Sequence, residues 1–418
     1  MKRSMSRLTS LCAAATALAV VTGCGVVFHE SSGKAGGIHA AVATGADRTK
    51  PASLGPDVPL TAANALEPHM KSPDGGWGII RTTNSSMLVR TTNGGRTWFD
   101  VSPKGVARDP NADASFPNER SAWWAVQPQA PGGAYKPTLY VYHTNDAGRH
   151  WTTSRISLDP SVPVQSTQID VVNRSTVYMD VIPMHGMNSM PGQLMVSHTG
   201  GAAWQKVPTP STLPMGGAIH FVSPQQGWLS TSDCSTCPAH LYRTQDGGRV
   251  WTEIRLPSSS AFAGDQASVS LPRFSARHPL VAILPVVWQK PTGVVAHEAI
   301  YGTVNGGRTW SLHGATPLLG NLSSFVDTRV VVVLPMTGQK SFTTLRVTTD
   351  AGRKWAAVTL PKVPFQTLLP SFVPSQIEFV SSRVGWIVWV PRRGGSAKDQ
   401  LWKTTDGGKT WANLSSSS

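Results

Sequence analysis

From about residue 60 onward, apolar and polar residues alternate in short runs separated by turn-forming residues. Ile219-His220-Phe221-Val222 and Ile377-Glu378-Phe379-Val380 are such runs, and a period of two places successive side chains on opposite faces of a strand. A turn then leads into a second apolar stretch, opened by Gly76-Trp77, Ala122-Trp123, Gly227-Trp228 or Gly385-Trp386. No window carries a helical stripe with caps. Short strands with turns about 8–12 residues apart predict an antiparallel meander and not βαβ units.

The pattern repeats. A segment of the form apolar-x-x-Thr-x-Asp-(Gly/Ala)-Gly-(Arg/Lys)-x-Trp occurs at Leu88–Trp98, Val141–Trp151, Leu194–Trp204, Leu241–Trp251, Ile300–Trp310, Leu345–Trp355 and Leu401–Trp411. Its tryptophans are Trp98, Trp151, Trp204, Trp251, Trp310, Trp355 and Trp411, separated by 53, 53, 47, 59, 45 and 56 residues. Repeats of about 40–50 residues are those of propeller blades. The expected fold is therefore all-β: a seven-bladed β-propeller of four-stranded antiparallel blades, covering 59–418. The last blade, about 375–414, carries four strands of its own, so ring closure needs no strand borrowed from the N-terminus.

The repeated segment has the chemistry of a hairpin. Glycine at the second turn position supplies positive φ. The carboxylate accepts backbone N–H bonds of its own turn, the Thr hydroxyl does similar work on the other arm, and the Trp buries a large surface. Asp146, Asp246, Asp350 and Asp406 occupy the carboxylate position, and Asn93 and Asn305 keep an acceptor there. The third copy has Thr199 instead, with Ala203 before Trp204, which predicts the weakest turn in blade three.

These seven segments resemble the BNR/Asp-box motif, Ser/Thr-x-Asp-x-Gly-x-x-Trp. That family includes sialidases, sortilin-type receptors, xyloglucanases and propellers like the photosystem II stability/assembly factor, whose Gly-Trp pattern this chain follows most closely. The resemblance covers about 60–414. It implies that the Asp boxes lie at the blade periphery and are structural, with ligands meeting the opposite face, formed by the strand 2–3 and 4–1 loops.

The N-terminus sets the expected address. Lys2, Arg3 and Arg7 precede an apolar run from Leu11 to Val21, which is shorter than the roughly 20 residues a membrane helix needs and reads as an export signal. Val21-Thr22-Gly23-Cys24 resembles the lipobox of bacterial lipoproteins. Residues 1–23 are then a signal peptide, Cys24 carries the lipid, and 24–58, rich in Gly, Ala, Ser and Thr, form a flexible tether. The expected location is the extracytoplasmic face of a membrane. An ordinary signal peptide that happens to contain a Cys is the alternative.

Composition adds a charge. The chain has 37 Lys and Arg against 23 Asp and Glu; losing the signal leaves 34 basic residues and a net charge of +11. A tethered cationic protein is drawn to anionic headgroups, wall polymers or acidic partners. An exported chain with scattered charge is a poor nucleic-acid binder, and a monomer without a cofactor is expected. One basic residue recurs in six hairpins (Arg96, Arg149, Arg249, Arg308, Arg353 and Lys409), either as a positive rim or as solvated turn residues.

Candidate chemistry lies in the loops. In an oxidising compartment Cys234 and Cys237 close a short loop as a disulfide. The blade-three loop holds Met184, His185, Met187 and Met190; thioethers with imidazole suit Cu(I), and apolar packing explains the same methionines. Tyr135 with Lys136, Trp288 with Lys290, and Arg392 with Arg393 and Lys398 form candidate points for stacking on a sugar or peptide, or for meeting an anion. Loop packing and solvated charge account for them equally.

For catalysis, a sialidase-like hydrolase needs an arginine triad, a Tyr–Glu pair and an Asp acid, and the Phe/Tyr-Arg-Ile-Pro signature of those enzymes is absent. The carboxylates placed near inner strands are Asp170, Asp327 and Glu378. The favoured expectation is a non-catalytic propeller that binds a protein or glycan, of the kind that assists assembly or stability of an envelope complex. A glycoside hydrolase and copper handling are the alternatives.

Overall fold

The computed structural model describes residues 47–48, 65–82, 85–106, 109–128, 136–159, 164–183, 192–210, 213, 217–232, 237–257, 259–292, 295–316, 322–335, 344–361, 368, 371–392 and 398–415. Seven antiparallel sheets, each a meander of four strands in chain order, form the blades of a β-propeller. Blade one runs Ala65–Met70, Gly76–Arg81, Ser86–Thr91 and Phe99–Asp100, and blade seven runs Phe372–Phe379, Gly385–Pro391, Gln400–Thr404 and Ala412–Asn413. The last blade thus supplies all four of its own strands, as the sequence predicts. Two blades carry additions. Asp47–Arg48, within the segment expected to be the tether, pairs with Thr152–Thr153 on the outer edge of blade two. In blade five the first strand is broken into Gln266–Val269 and Arg273–Phe274.

Burial follows from this stacking. Each sheet is sandwiched between two others, so the middle strands are covered on both faces and read as continuous apolar runs. Ala122–Val126 (AWWAV) and Val331–Leu334 (VVVL) are buried at every position. The first strands alternate instead, as in Ala218–Phe221, where only Ile219 and Phe221 are buried.

The hairpin between the third and fourth strands is bonded alike from blade to blade, except that Trp204 Nε1 donates to Ser154 Oγ and Trp310 Nε1 has no acceptor among the described residues. In blade seven Thr404 Oγ1 donates to Asp406 Oδ1 at 2.9 Å and accepts from Gly408 N at 2.9 Å. Asp406 Oδ1 accepts Thr410 N at 2.9 Å, and Trp411 Nε1 donates to Gly408 O at 2.9 Å. Asn93 and Asn305 do the carboxylate's work, accepting Thr97 N and Thr309 N at 3.0 Å each. Blade three keeps the pattern with hydroxyls: Ser197 Oγ accepts Gly201 N and Thr199 Oγ1 accepts Ala203 N, both at 2.8 Å. Its turn is therefore bonded like the others. What it loses is the carboxylate's charge, the Ser197–Thr199 contact stretching to 3.3 Å.

The hairpin also docks on its own blade. In every blade the residue at its first left-handed position donates its N–H to a carbonyl in the turn between strands one and two, as Gly94 does to Asp74, Ala147 to Arg120 and Gly407 to Arg383. That position has positive φ in all seven blades. Glycine fills it five times and alanine twice, at Ala147 (φ 68°) and Ala351 (φ 63°).

Candidate functional site

The first strand of each blade is the inner edge of its sheet, and the first strands of blades two and three, three and four, six and seven, and seven and one adjoin one another. An inner edge leaves backbone N–H groups without a ladder partner, and such groups need another acceptor. The register shows where it comes from. In each blade the second residue of strand two faces one polar residue of strand one: His69, Ser115, Asp170, His220, Arg273, Ser324 and Glu378 in chain order. These seven form a ring.

Members of the ring reach across to the next blade. Ser324 Oγ accepts Phe379 N at 2.7 Å, Glu378 Oε2 accepts Met70 N at 2.8 Å, and Asp170 Oδ2 accepts Phe221 N. Two residues earlier a second tier repeats the arrangement. Asp113 Oδ2 accepts Ile169 N at 3.1 Å, Gln168 Oε1 accepts Ile219 N at 2.8 Å, and Gln376 Nε2 donates to Pro68 O at 2.6 Å. Between blades one and two, Arg81 pairs with Glu67 at 2.9 Å and donates to Pro110 O and Ala112 O at 2.9 and 3.0 Å.

Burial gives this lumen its electrostatics. It pushes the carboxyls of Asp113 and Glu378 up to about 7, against the lowering pull of their backbone N–H donors. Burial, with Lys71 and Arg81 adding to it, holds the His69 imidazole down at about 3. The Lys71 ammonium is lowered by burial and partly restored by Glu378. The Arg273 guanidinium is lowered by burial as well and lies 4.4 Å from the centre of the Phe325 ring in blade six.

The three carboxylates singled out in the sequence are not brought together. Asp170 and Glu378 sit in the ring on blades three and seven, each bonded to the following blade. Asp327 is in the exposed turn after the first strand of blade six, capping Arg329 N and Val330 N at 2.7 Å each. The pattern missed Asp113, because the first strand of blade two is only three residues long.

The loop candidates are scattered. Lys136 is exposed; its N–H bonds Pro128 O at 2.8 Å and its carbonyl accepts from Gln127 at 3.0 Å. Lys290 is exposed just past a strand end. Trp288 is not a loop aromatic: it lies inside Ala282–Gln289, is 7% exposed, and stacks on Phe262 with ring centres 4.8 Å apart. Arg392 is half-buried, with its N–H on Ser371 O at 2.8 Å. Cys237 is disulfide-bonded. Tyr135, Arg393, Cys234, Cys24 and the Met184, His185, Met187, Met190 group lie outside the described residues. Among the described residues no group of three or more His, Cys, Asp or Glu is placed to hold a metal ion.

No protein-family model matches the chain, and neither does any curated protein sequence. Solved structures do. An uncharacterized protein from Listeria monocytogenes superposes with a TM-score of 0.50 at 9% identity, over 87% of this chain and 98% of that one. An ulvan lyase of polysaccharide lyase family PL25 follows at 0.45 and 10%, over 86% and 97%. The GH74 xyloglucanase from Xanthomonas campestris reaches 0.26 and 14%, over 84% and 72%. The likeness is one of fold. At these identities side chains in a lumen or loop carry nothing across.

The exposed surface at the hairpin end has its own regularity. Arg96, Arg149, Arg249, Arg308, Arg353 and Lys409 are all exposed, one on each hairpin except that of blade three. Since every hairpin joins strands three and four, all six charges stand at the same end of the propeller.

Proposed function

We propose that this chain is a non-catalytic, lipid-tethered, extracytoplasmic propeller of the BNR/Asp-box type that binds an acidic protein or glycan at the cell envelope. The observation that carries this reading is the use already made of the lumen's polar groups. Asp113, Asp170 and Glu378 each hold a backbone N–H of the next blade. A glycosidase instead needs two carboxyls facing one substrate about 5–9.5 Å apart. Recognition then falls to the outer surface, and the six hairpin cations, on a chain of net charge +11 after signal removal, favour an anionic partner. A role in assembling or stabilising an envelope complex is consistent with such a tether and rim.

The test is cross-linking of the full-length lipidated protein in its own membranes, followed by purification and identification of what comes with it. A partner retained by wild type and by Glu378→Gln, and lost when the six rim cations are changed to Glu, is the expected result. Turnover of a glycan by the purified protein, with no partner recovered, overturns it.

One observation favours a second reading, a glycoside hydrolase. Asp113 and Glu378 have carboxyls raised to about 7, the range of a general acid. Under that reading Asp113→Asn and Glu378→Gln each abolish turnover of a glycan that wild type cleaves.

A further inference from the structure

In five blades the second residue of strand two is aromatic, and its ring crosses to the following blade. Trp77 Nε1 donates to Asn118 O at 2.8 Å and Trp386 Nε1 to Gly94 O at 2.9 Å. Tyr178 Oη donates to Pro224 O at 2.7 Å. Trp123 and Trp228 lie against Gly201 and Gly307, so closely that a Cβ on either glycine would meet the indole at 2.4 and 3.1 Å. In each case the ring fills the space beneath the next blade's turns.

Blades five and six depart from the rule, and blade six fills the position with a fully buried Val332. In blade five Ile283, 1% exposed, holds the position and belongs to one buried cluster with Ala351 of the blade-six hairpin. At the seam after blade five a cleft of about 310 Å³ remains, with Ile283, Ala282, Val281 and Ala351 among its lining. That volume is at the lower end of ligand sites.

The walls differ in character. One side is apolar, and its Val304 is 78% exposed. The other side is cationic. Arg329 and Arg353 both line the cleft. Arg329 makes no side-chain hydrogen bond or ion pair among the described residues. Arg353 is held in place: Nη1 donates to Asp350 O at 3.1 Å and Nη2 lies 3.2 Å from His313 Nε2. His313 Nδ1 is 3.2 Å from Ala351 O, so the tautomer protonated at Nδ1 donates there and leaves Nε2 to accept from the arginine. Burial foremost, and Arg353 with it, lowers the His313 pKa and favours that neutral form. Asp350 is the one acid in the lining, and its Oδ1 is engaged by Thr348 and Lys354 N at 2.8 and 2.9 Å.

We infer that the cleft between blades five and six binds a compact carboxylate carrying one flat apolar ring, the ring entering the seam beside Ile283, at the position where four other blades place an indole, and the carboxylate meeting Arg329 and Arg353. Two sources present this chemistry, a free aromatic acid and the C-terminus of a peptide ending in an aromatic residue. The site shares Arg353 with the hairpin rim, while Arg329 and the apolar wall belong to the cleft and not to the six rim cations, so Arg329→Ala tests the cleft separately from the partner surface.

Calorimetry on the full chain tests the inference with four probes: N-acetyltryptophan, its amide, a tetrapeptide ending in Trp, and the same peptide amidated. Both acids should bind at least about tenfold more tightly than their amides, as loss of a charge-assisted pair demands. Comparable affinity for the two acids assigns a free-acid site, and a clear preference for the peptide assigns a C-terminus site. Arg329→Ala should weaken the acids about tenfold and leave the amides unchanged. Ile283→Trp should close the cleft, abolishing binding while preserving or raising Tm. Equal binding of acids and amides, no binding of any probe, or undiminished binding by Arg329→Ala overturns the inference, whether or not Ile283→Trp folds.

Discussion

Glu378 Oε2 accepts the backbone N–H of Met70 at 2.8 Å across the junction of the last blade with the first. Among the described residues no strand crosses that junction, and side chains bridge it. Removing the acceptor with Glu378→Ala leaves a lumen N–H unpaired and should cost about 1–3 kcal/mol. Glu378→Gln keeps an acceptor oxygen and should cost much less. Chemical denaturation at pH 6 distinguishes the two; equal losses would show that the bond contributes nothing.

The same carboxyl gives a pH dependence with a definite sign. Its folded pKa is raised from 4.5 to about 7, so between those values the folded state holds a proton that the unfolded chain releases. Stability from this group is greatest below about pH 4.5 and falls as pH rises through about 7. Asp113, raised from 3.8 to about 7, acts in the same direction. His69, lowered from 6.5 to about 3, acts oppositely, losing stability as pH falls below 6.5. The stability of wild type relative to Glu378→Gln should therefore decline from pH 5 to pH 8. A flat difference would contradict the burial of Glu378.

Trp386 is 1% exposed and tied to Gly94 O in blade one. Trp386→Ala should cost about 3–5 kcal/mol through the cavity it leaves. Trp386→Phe loses the N–H donor as well as part of the ring, and should cost about 1–3 kcal/mol. Thermal unfolding orders the three proteins.

Ala147 holds φ at 68° where most blades have glycine. A left-handed backbone is strained for any residue with a Cβ, so Ala147→Gly should stabilise by about 0.5 kcal/mol after the entropy cost of glycine. Ala351→Gly should gain less, because its methyl belongs to the buried cluster that includes Ile283 and Ile300. A fall in Tm for Ala147→Gly would refute the strain argument.

Thr199 tests the third hairpin. Thr199→Ala removes the acceptor of Ala203 N and should cost about 1 kcal/mol. Thr199→Asp supplies the carboxylate of the other blades and should match or exceed wild type by a few tenths of a kcal/mol. Both are read by denaturant midpoint.

The blade count and the hairpin chemistry were legible because they are local. Thr404, Asp406, Gly408 and Trp411 lie within eight residues, and their spacing is the geometry. The third hairpin looked weak only because Thr199 was compared with Asp by residue type, whereas the turn needs an acceptor and a hydroxyl is one. Trp288 was misplaced because Pro285 within Ala282–Gln289 makes a strand interior resemble its end. The ring from His69 to Glu378 was out of reach, since it depends on register in seven sheets at once. Ile283 could have been found: aligning Ala282-Ile283 and Val331-Val332 with Gly76-Trp77, Ala122-Trp123, Gly227-Trp228 and Gly385-Trp386 exposes two blades without the ring.

Fastening the last blade to the first by side chains makes that junction interchangeable with the ones between blades two and three or six and seven, which use the same bond from an inner-strand oxygen to a neighbour's N–H. Nothing in the ring marks where the polypeptide begins. A circular permutant, with the old ends joined by a linker and new ends cut between two other blades, should close into the same seven-bladed disc.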